Sequence, residues 1–201
     1  FSIFSILLSL IVYPLSCLDN SSPNADANKS FSLNGISNNP EVQNVMYGLI
    51  NNKESKPYNK KRFIKVIQAI KHFLFNKNSH ALLVISNRNA KQDESDLFSK
   101  DYIEKFIGLF EKESGQEFPH ETLLLYGSEF ESNKASISKH ISEGKKVIAL
   151  SSYPASGTGQ NLQYVVTDEE GNSKEEDIDS LYLEKPTNMF VSTYDGLDDK
   201  S

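Results

Sequence analysis

An α/β domain of three layers, with a mainly parallel sheet flanked by helices, is predicted by three observations in this chain of 201 residues. ALLVIS at 81–86, TLLLYG at 122–127 and KVIALSS at 146–152 read as strands, and the first is a β-branched and leucine run suited to a strand buried on both faces. Between them, apolar residues recur at three- and four-residue spacing, the period of a helix with one buried face. Strands separated by helices need crossover connections, and crossovers favour parallel pairing, with binding loops at the carboxyl ends of the strands.

The elements are read in order. Residues 1–18, FSIFSILLSLIVYPLSCL, carry no charge and form either a buried helix or part of an export signal. The run has no basic segment before it, and Leu15 stands one place too close to Cys17 for a good lipoprotein cleavage box, although the chain begins at Phe1. Residues 19–61 are expected to be a polar linker or irregular segment that buries little, with Asn, Ser and Asp around Pro23 and Pro40. A lobe is expected over 62–201, incomplete at its C-terminal end.

Within that lobe, Phe63, Val66, Ile67, Ile70, Phe73 and Leu74 fall on one helix face that needs a sheet beneath it. After ALLVIS, Ser99 is the expected N-cap of a second helix with Tyr102, Ile103, Phe106, Ile107 and Phe110 inward and Gly115 near its end. A shorter helix is expected over 133–142, capped by Ser132 and stopped by Gly144. SLYLE at 180–184 reads as one more strand, followed by a Pro-Thr turn.

The formal net charge of -6 excludes a protein that coats nucleic acid through overall positive charge. The distribution is uneven. Lys53, Lys56, Lys60, Lys61, Arg62, Lys65 and Lys71 stand against Glu54 alone, seven bases against one acid and a local charge of +6. Between Asp168 and Asp179, seven acids stand against Lys174, a local charge of -6. The first block could face phosphate and the second could not; solvated surface is the commoner explanation for either. The single cysteine excludes an internal disulfide and a thiolate zinc cluster. His72, His80, His120 and His140 lack metal-ligand spacing, and no Ser/His/Asp arrangement stands out.

The segment SSYPASGTGQNLQY at 151–164 carries the chemistry. It places Gly157 and Gly159 at the carboxyl end of a strand, where glycine lets backbone amides approach an anion. Asn161 is expected at the start of another helix, and an amide-rich turn entering a helix is a phosphate seat. Gly157-Thr158-Gly159-Gln160-Asn161-Leu162, with Ser151 and Ser152 as a hydroxyl pair, resembles motif V of superfamily-two DEAD/DEAH-type helicases and the related chromatin-remodelling translocases. ALLVISNRN at 81–89 resembles motif IV, TLLLYGSEF at 122–130 the following strand and loop, and HISEGKKVIAL at 140–150 the helix, turn and strand before motif V.

The resemblance, over roughly residues 62–166, implies a RecA-like second motor lobe with the P-loop NTPase fold. It implies that Ser86, Asn87, Arg88, Ser152 and Asn161 touch the nucleic-acid backbone, and that Gly157, Thr158 and Gly159 form the loop coupling it to the nucleotide state. Hydroxyls, amides and a guanidinium are suitable phosphate donors. ATP and Mg2+ are implied in the intact protein, with none held tightly by these residues. The implied partners are nucleic acid, DNA before RNA, and a first lobe; the implied compartment is the cytoplasm, with no membrane. Pro154 adds a residue to the motif V loop and Ser replaces the more usual Thr. No Gly-x-x-x-x-Gly-Lys-Ser/Thr loop, acidic box or arginine-rich motif VI occurs in these residues, so no ATPase activity is expected from them alone.

Three other readings stay open. The glycine turn could be an ordinary strand-to-helix loop. It could open a dinucleotide site with Glu184 on the ribose, although Leu162 stands where the third glycine belongs. The chain could instead be an exported, lipid-anchored binding protein, given its apolar start and Cys17.

Overall fold

The computed structural model describes residues 31–126, 130–156, 163–167 and 172–185. Helices α1 (Pro40–Asn51) and α2 (Pro57–Phe75) precede strand β1 (Ala81–Ser86). Helix α3 (Lys100–Ser114), strand β2 (His120–Leu124), helix α4 (Phe130–Ser142) and strand β3 (Lys146–Ser152) follow in alternation. Strands β4 (Gln163–Thr167) and β5 (Ser173–Asp177) form an antiparallel hairpin before β6 (Ser180–Leu183).

The main sheet has the order β2-β3-β1-β6, with every pairing parallel. Successive strand residues point to opposite faces. On one face Leu82, Val84, Ile148 and Leu150 meet the aromatic and aliphatic residues of α1, α2 and α3 in a single core. On the other, Leu83, Ile85 and Ala149 pack with Leu125, while Ala81 and Val147 meet Ile137 of α4 and Tyr164 of β4. The result is the α/β class predicted, helices on both sides of a mainly parallel sheet. The second face is covered by a hairpin as well as a helix.

Local chemistry sets the helix ends. The Ser99 hydroxyl accepts from the Tyr102 amide to open α3, and Gly115 closes it at φ 65, a left-handed conformation that a side chain would strain. All five apolar residues expected inside α3 are buried. Helix α2 lacks a side-chain cap but has Pro57 in its first turn, and it starts earlier than the apolar period at Phe63. Its far end is closed from outside: Lys146 Nζ donates to the carbonyls of Phe73, Asn76 and Ser79 at 3.1, 2.5 and 2.6 Å. Asp179 accepts from the amides of His80 and Ala81 at 2.6 and 3.3 Å, fixing the start of β1.

Three expectations are corrected. Residues 31–61 are not an irregular linker: Phe31, Leu33, Ile36, Val42, Met46 and Ile50 are buried in the main core, and Asn39 caps α1 by accepting from Glu41 and Val42 amides. Residues 1–18, and with them Cys17, lie outside the described residues. The third helix starts at Phe130, so Ser132 lies within it and is not its cap. No helix continues beyond Asn161, since Gln163–Thr167 is a strand that buries Tyr164 against the sheet. Tyr, Val and Thr in succession suit a pleated strand better than a helix.

At the edge, His120 is bound through both ring nitrogens to acceptors, Nε2 to Glu104 at 2.8 Å and Nδ1 to the Phe118 carbonyl at 2.5 Å. Two acceptors demand two N–H groups, the protonated ring. Burial pushes His120 down, but the bond to Glu104, the Phe118 carbonyl and the charges of Glu104 and Glu111 outweigh it, leaving the ring above its ordinary value of 6.5. Burial pushes Glu104 up, and the bond to His120, the Thr122 hydroxyl and the charges of His120 and Lys100 together outweigh this, leaving it below 4.5. The His120 contribution is therefore complete below pH 6.5 and lost as pH rises through the raised value. The Glu104 contribution is present above pH 4.5 and lost as pH falls through the lowered one. Melting temperature should decline on both sides of that window. In His120→Asn the alkaline decline should shrink; an unchanged pH profile would contradict the pairing.

Candidate functional site

Parallel pairing brings the carboxyl ends of β1, β3 and β6 to one rim of the sheet. Ser86 and Ser152 are partners in register across β1 and β3. The Tyr153 amide donates to the Ser86 carbonyl and the Glu184 amide to the Ile85 carbonyl, both at 2.9 Å, so the ladders continue past the strand ends.

Glu184 is the centre of this rim. It is 8% exposed. Arg62 of α2 meets its Oε1 at 2.5 Å, while Ser86 Oγ and the Asn87 amide donate to Oε2 at 2.7 and 2.9 Å. Asn87 Nδ2 lies 3.3 Å from Oε2 and donates to the Lys185 carbonyl at 3.0 Å; Arg62 Nη2 reaches the same carbonyl at 2.6 Å. Tyr153 donates its hydroxyl to the Glu184 carbonyl at 2.6 Å. Burial, then the charge of Glu184, raises that phenol above its ordinary value.

Above this cluster opens a cleft of about 200 Å3 between the first turns of α2 and the ends of β1 and β6. Phe63, Val66 and Phe98 make its apolar wall, and Asn59, Asn87 and Arg88 its polar edge. The Tyr58 ring, 51% exposed, stacks on Arg62 with 4.9 Å from guanidinium to ring centre.

The structure brings Ser86, Asn87, Arg88 and Ser152 to this one rim, in differing states. Ser86 and Ser152 are buried and already bonded, Ser152 Oγ to Asn89 Oδ1 at 2.5 Å. Asn87 is held by Glu184 and Lys185. Arg88 pairs with Asp96 at 2.9 Å, with its side chain 40% exposed. Gly157, Thr158, Gly159 and Asn161 lie outside the described residues.

The basic block is partly internal. Lys53 bonds the Glu94 carbonyl, Lys60 the Asn51 side chain, Arg62 Glu184, and Lys71 the Ile36 carbonyl and Glu113. Lys56, Lys61 and Lys65 remain on the surface. Sequence reasoning missed Glu184 and Arg62 as one unit; each was visible separately, Glu184 as the last residue of SLYLE and Arg62 as one of seven bases.

A ribose contact for Glu184 finds no support here, because both carboxylate oxygens are bonded. The strand after β3 also enters an antiparallel hairpin and not the neighbouring parallel position. Among the described residues, no group of His, Cys, Asp and Glu could hold a metal ion, and no helix is long and apolar enough to cross a membrane. No protein-family model and no curated protein matches the chain.

Removing one member of a buried ion pair strands the other charge, at a cost of about 3–5 kcal/mol, whereas replacing both is closer to neutral. Arg62→Met should thus lower unfolding free energy in urea by about that amount. Arg62→Met with Glu184→Leu should recover part of the loss. If the double variant were less stable than the single by the full cost of a second deletion, the two residues would be acting independently.

Proposed function

We propose that this chain is the second motor lobe of an ATP-dependent helicase or translocase of superfamily two, and that its sheet rim grips the sugar-phosphate backbone of nucleic acid. The observation that supports this reading is the adjacency of β1 and β3. Their ends, 66 residues apart in the chain at Ser86 and Ser152, emerge side by side in register. The resemblance assigns backbone contact to these two stretches from motifs far apart in sequence, and a single rim is what such a joint contact needs.

In this reading the roles divide by exposure. Ser86 and Ser152 brace the loops through bonds to Glu184 and Asn89, and Arg88 is the donor open to solvent. Arg88 would meet a phosphate with the part of its guanidinium not engaged by Asp96. Lys56 at the N-cap of α2 and Lys61 and Lys65 on its exposed side add positive charge to the helix that carries Arg62. In this proposal ATP and Mg2+ belong to the intact protein and are held mainly by its first lobe. A cytoplasmic setting and DNA as the nucleic acid belong to the same proposal.

In the intact protein, Arg88→Ala or Asn161→Ala should lower nucleic-acid-stimulated ATP turnover by about tenfold, the effect of one charge-assisted hydrogen bond, with the fold unchanged. Unaltered turnover in both variants would remove the site assignment.

A further inference from the structure

We infer that the cleft between the first turns of α2 and the ends of β1 and β6 accepts one unstacked nucleobase of a single strand, with Tyr58 stacking a neighbouring base. This rests on the nucleic-acid reading above and specifies the form of the ligand.

Size limits the occupant first. At about 200 Å3 the cleft lies below the roughly 300–1,000 Å3 of sites for drug-sized molecules, leaving space for about one small ring system. Charge limits it next. Arg62 and Glu184 neutralise each other at the base of the cleft, and Arg88 is paired with Asp96 at its edge. A phosphate buried at the floor of the cleft would have to break the Arg62–Glu184 pair, whereas a neutral planar ring would not. Chemistry then favours a base: Phe63, Val66 and Phe98 give an apolar wall, and the Asn59 amide lines the cleft together with Asn87, whose Nδ2 is held by Glu184 and Lys185 and which leaves its Oδ1 as an acceptor. Amide side chains can offer a donor and an acceptor together to a base edge.

The outer surface continues the pattern. Tyr58 is half exposed, with its ring supported by Arg62. Lys61 and Lys65 follow it at i+3 and i+7 on α2, which places all three along one helix face. An aromatic platform flanked by a basic stripe is the arrangement that holds single strands, the bases stacked and the phosphates on lysine.

The test uses the full chain, a fluorescein-labelled oligothymidylate of about twelve nucleotides, and an abasic deoxyribose-phosphate strand of equal length, compared by anisotropy at low salt. Binding to the abasic strand should be weaker by about tenfold. Tyr58→Ala and Asn59→Ala, both at the solvent-facing start of α2, should narrow that gap, while Lys61→Ala should weaken both strands alike. Equal affinity for the two strands, or a gap unchanged in both cleft variants, overturns the base cleft and leaves the backbone reading standing. Absence of binding to either strand overturns both.

Discussion

A carboxylate withdrawn from water costs several kcal/mol unless opposite charge and hydrogen bonds replace its hydration. At Glu184 the replacement comes from Arg62, Ser86 and Asn87, which lie 97 to 122 residues away in the chain. Such a group holds its partners to a narrow geometry, because any shift leaves a buried charge under-coordinated. It fixes the first turns of α2, the loop after β1 and the chain leaving β6 to each other. The position of Arg88, the shape of the cleft and the support under Tyr58 all follow from that junction.

The sheet and its flanking helices were largely legible because their signals were redundant. In α3 the cap at Ser99, the apolar period from Tyr102 to Phe110 and the stop at Gly115 all agree. The strands β1 and β3 are buried on both faces, so each carries a nearly continuous apolar run. Helix α1 was passed over although its pattern was present: the buried Val42, Met46 and Ile50 recur four residues apart, and Tyr47 and Leu49 pack against the same core. Its start, Asn39-Pro40-Glu41, reads as a turn, yet Asn at the cap and Pro at the first helical position also open a helix. Strand β5 was hidden for the opposite reason. Ser-Lys-Glu-Glu-Asp has little intrinsic strand preference, and its conformation comes from pairing with β4, Val165 beside Glu175 and Val166 beside Lys174.

The candidate site shows a different limit. Strand ends can be located from composition, and Ser86, Asn87, Arg88 and Ser152 do stand at one rim. What composition leaves open is whether a polar side chain at that rim faces solvent or another part of the protein. Arg62 contributes to a charge count in the same way as Lys61, yet Arg62 has 14% side-chain exposure and a carboxylate partner 122 residues later. Pairing at that separation depends on β6 lying next to β1, an adjacency that no local pattern encodes.

Neutralisation of the rim has a consequence for how such a lobe would hold nucleic acid. With both guanidiniums matched to carboxylates, attraction at a distance under the proposed function is left to exposed lysines such as Lys56, Lys61, Lys65 and Lys185, and few exposed cations release few counterions. The isolated rim is then stiff but only weakly attractive. Rigid donors set register along a backbone, and stacking does not depend on charge; neither gives high affinity from one face alone. A surface of this kind gains hold when a second surface closes over the strand, because positions fixed in advance need no further ordering at that moment. Weak binding by one lobe and firm binding by two would then have the same physical origin, the internal pairing around Glu184.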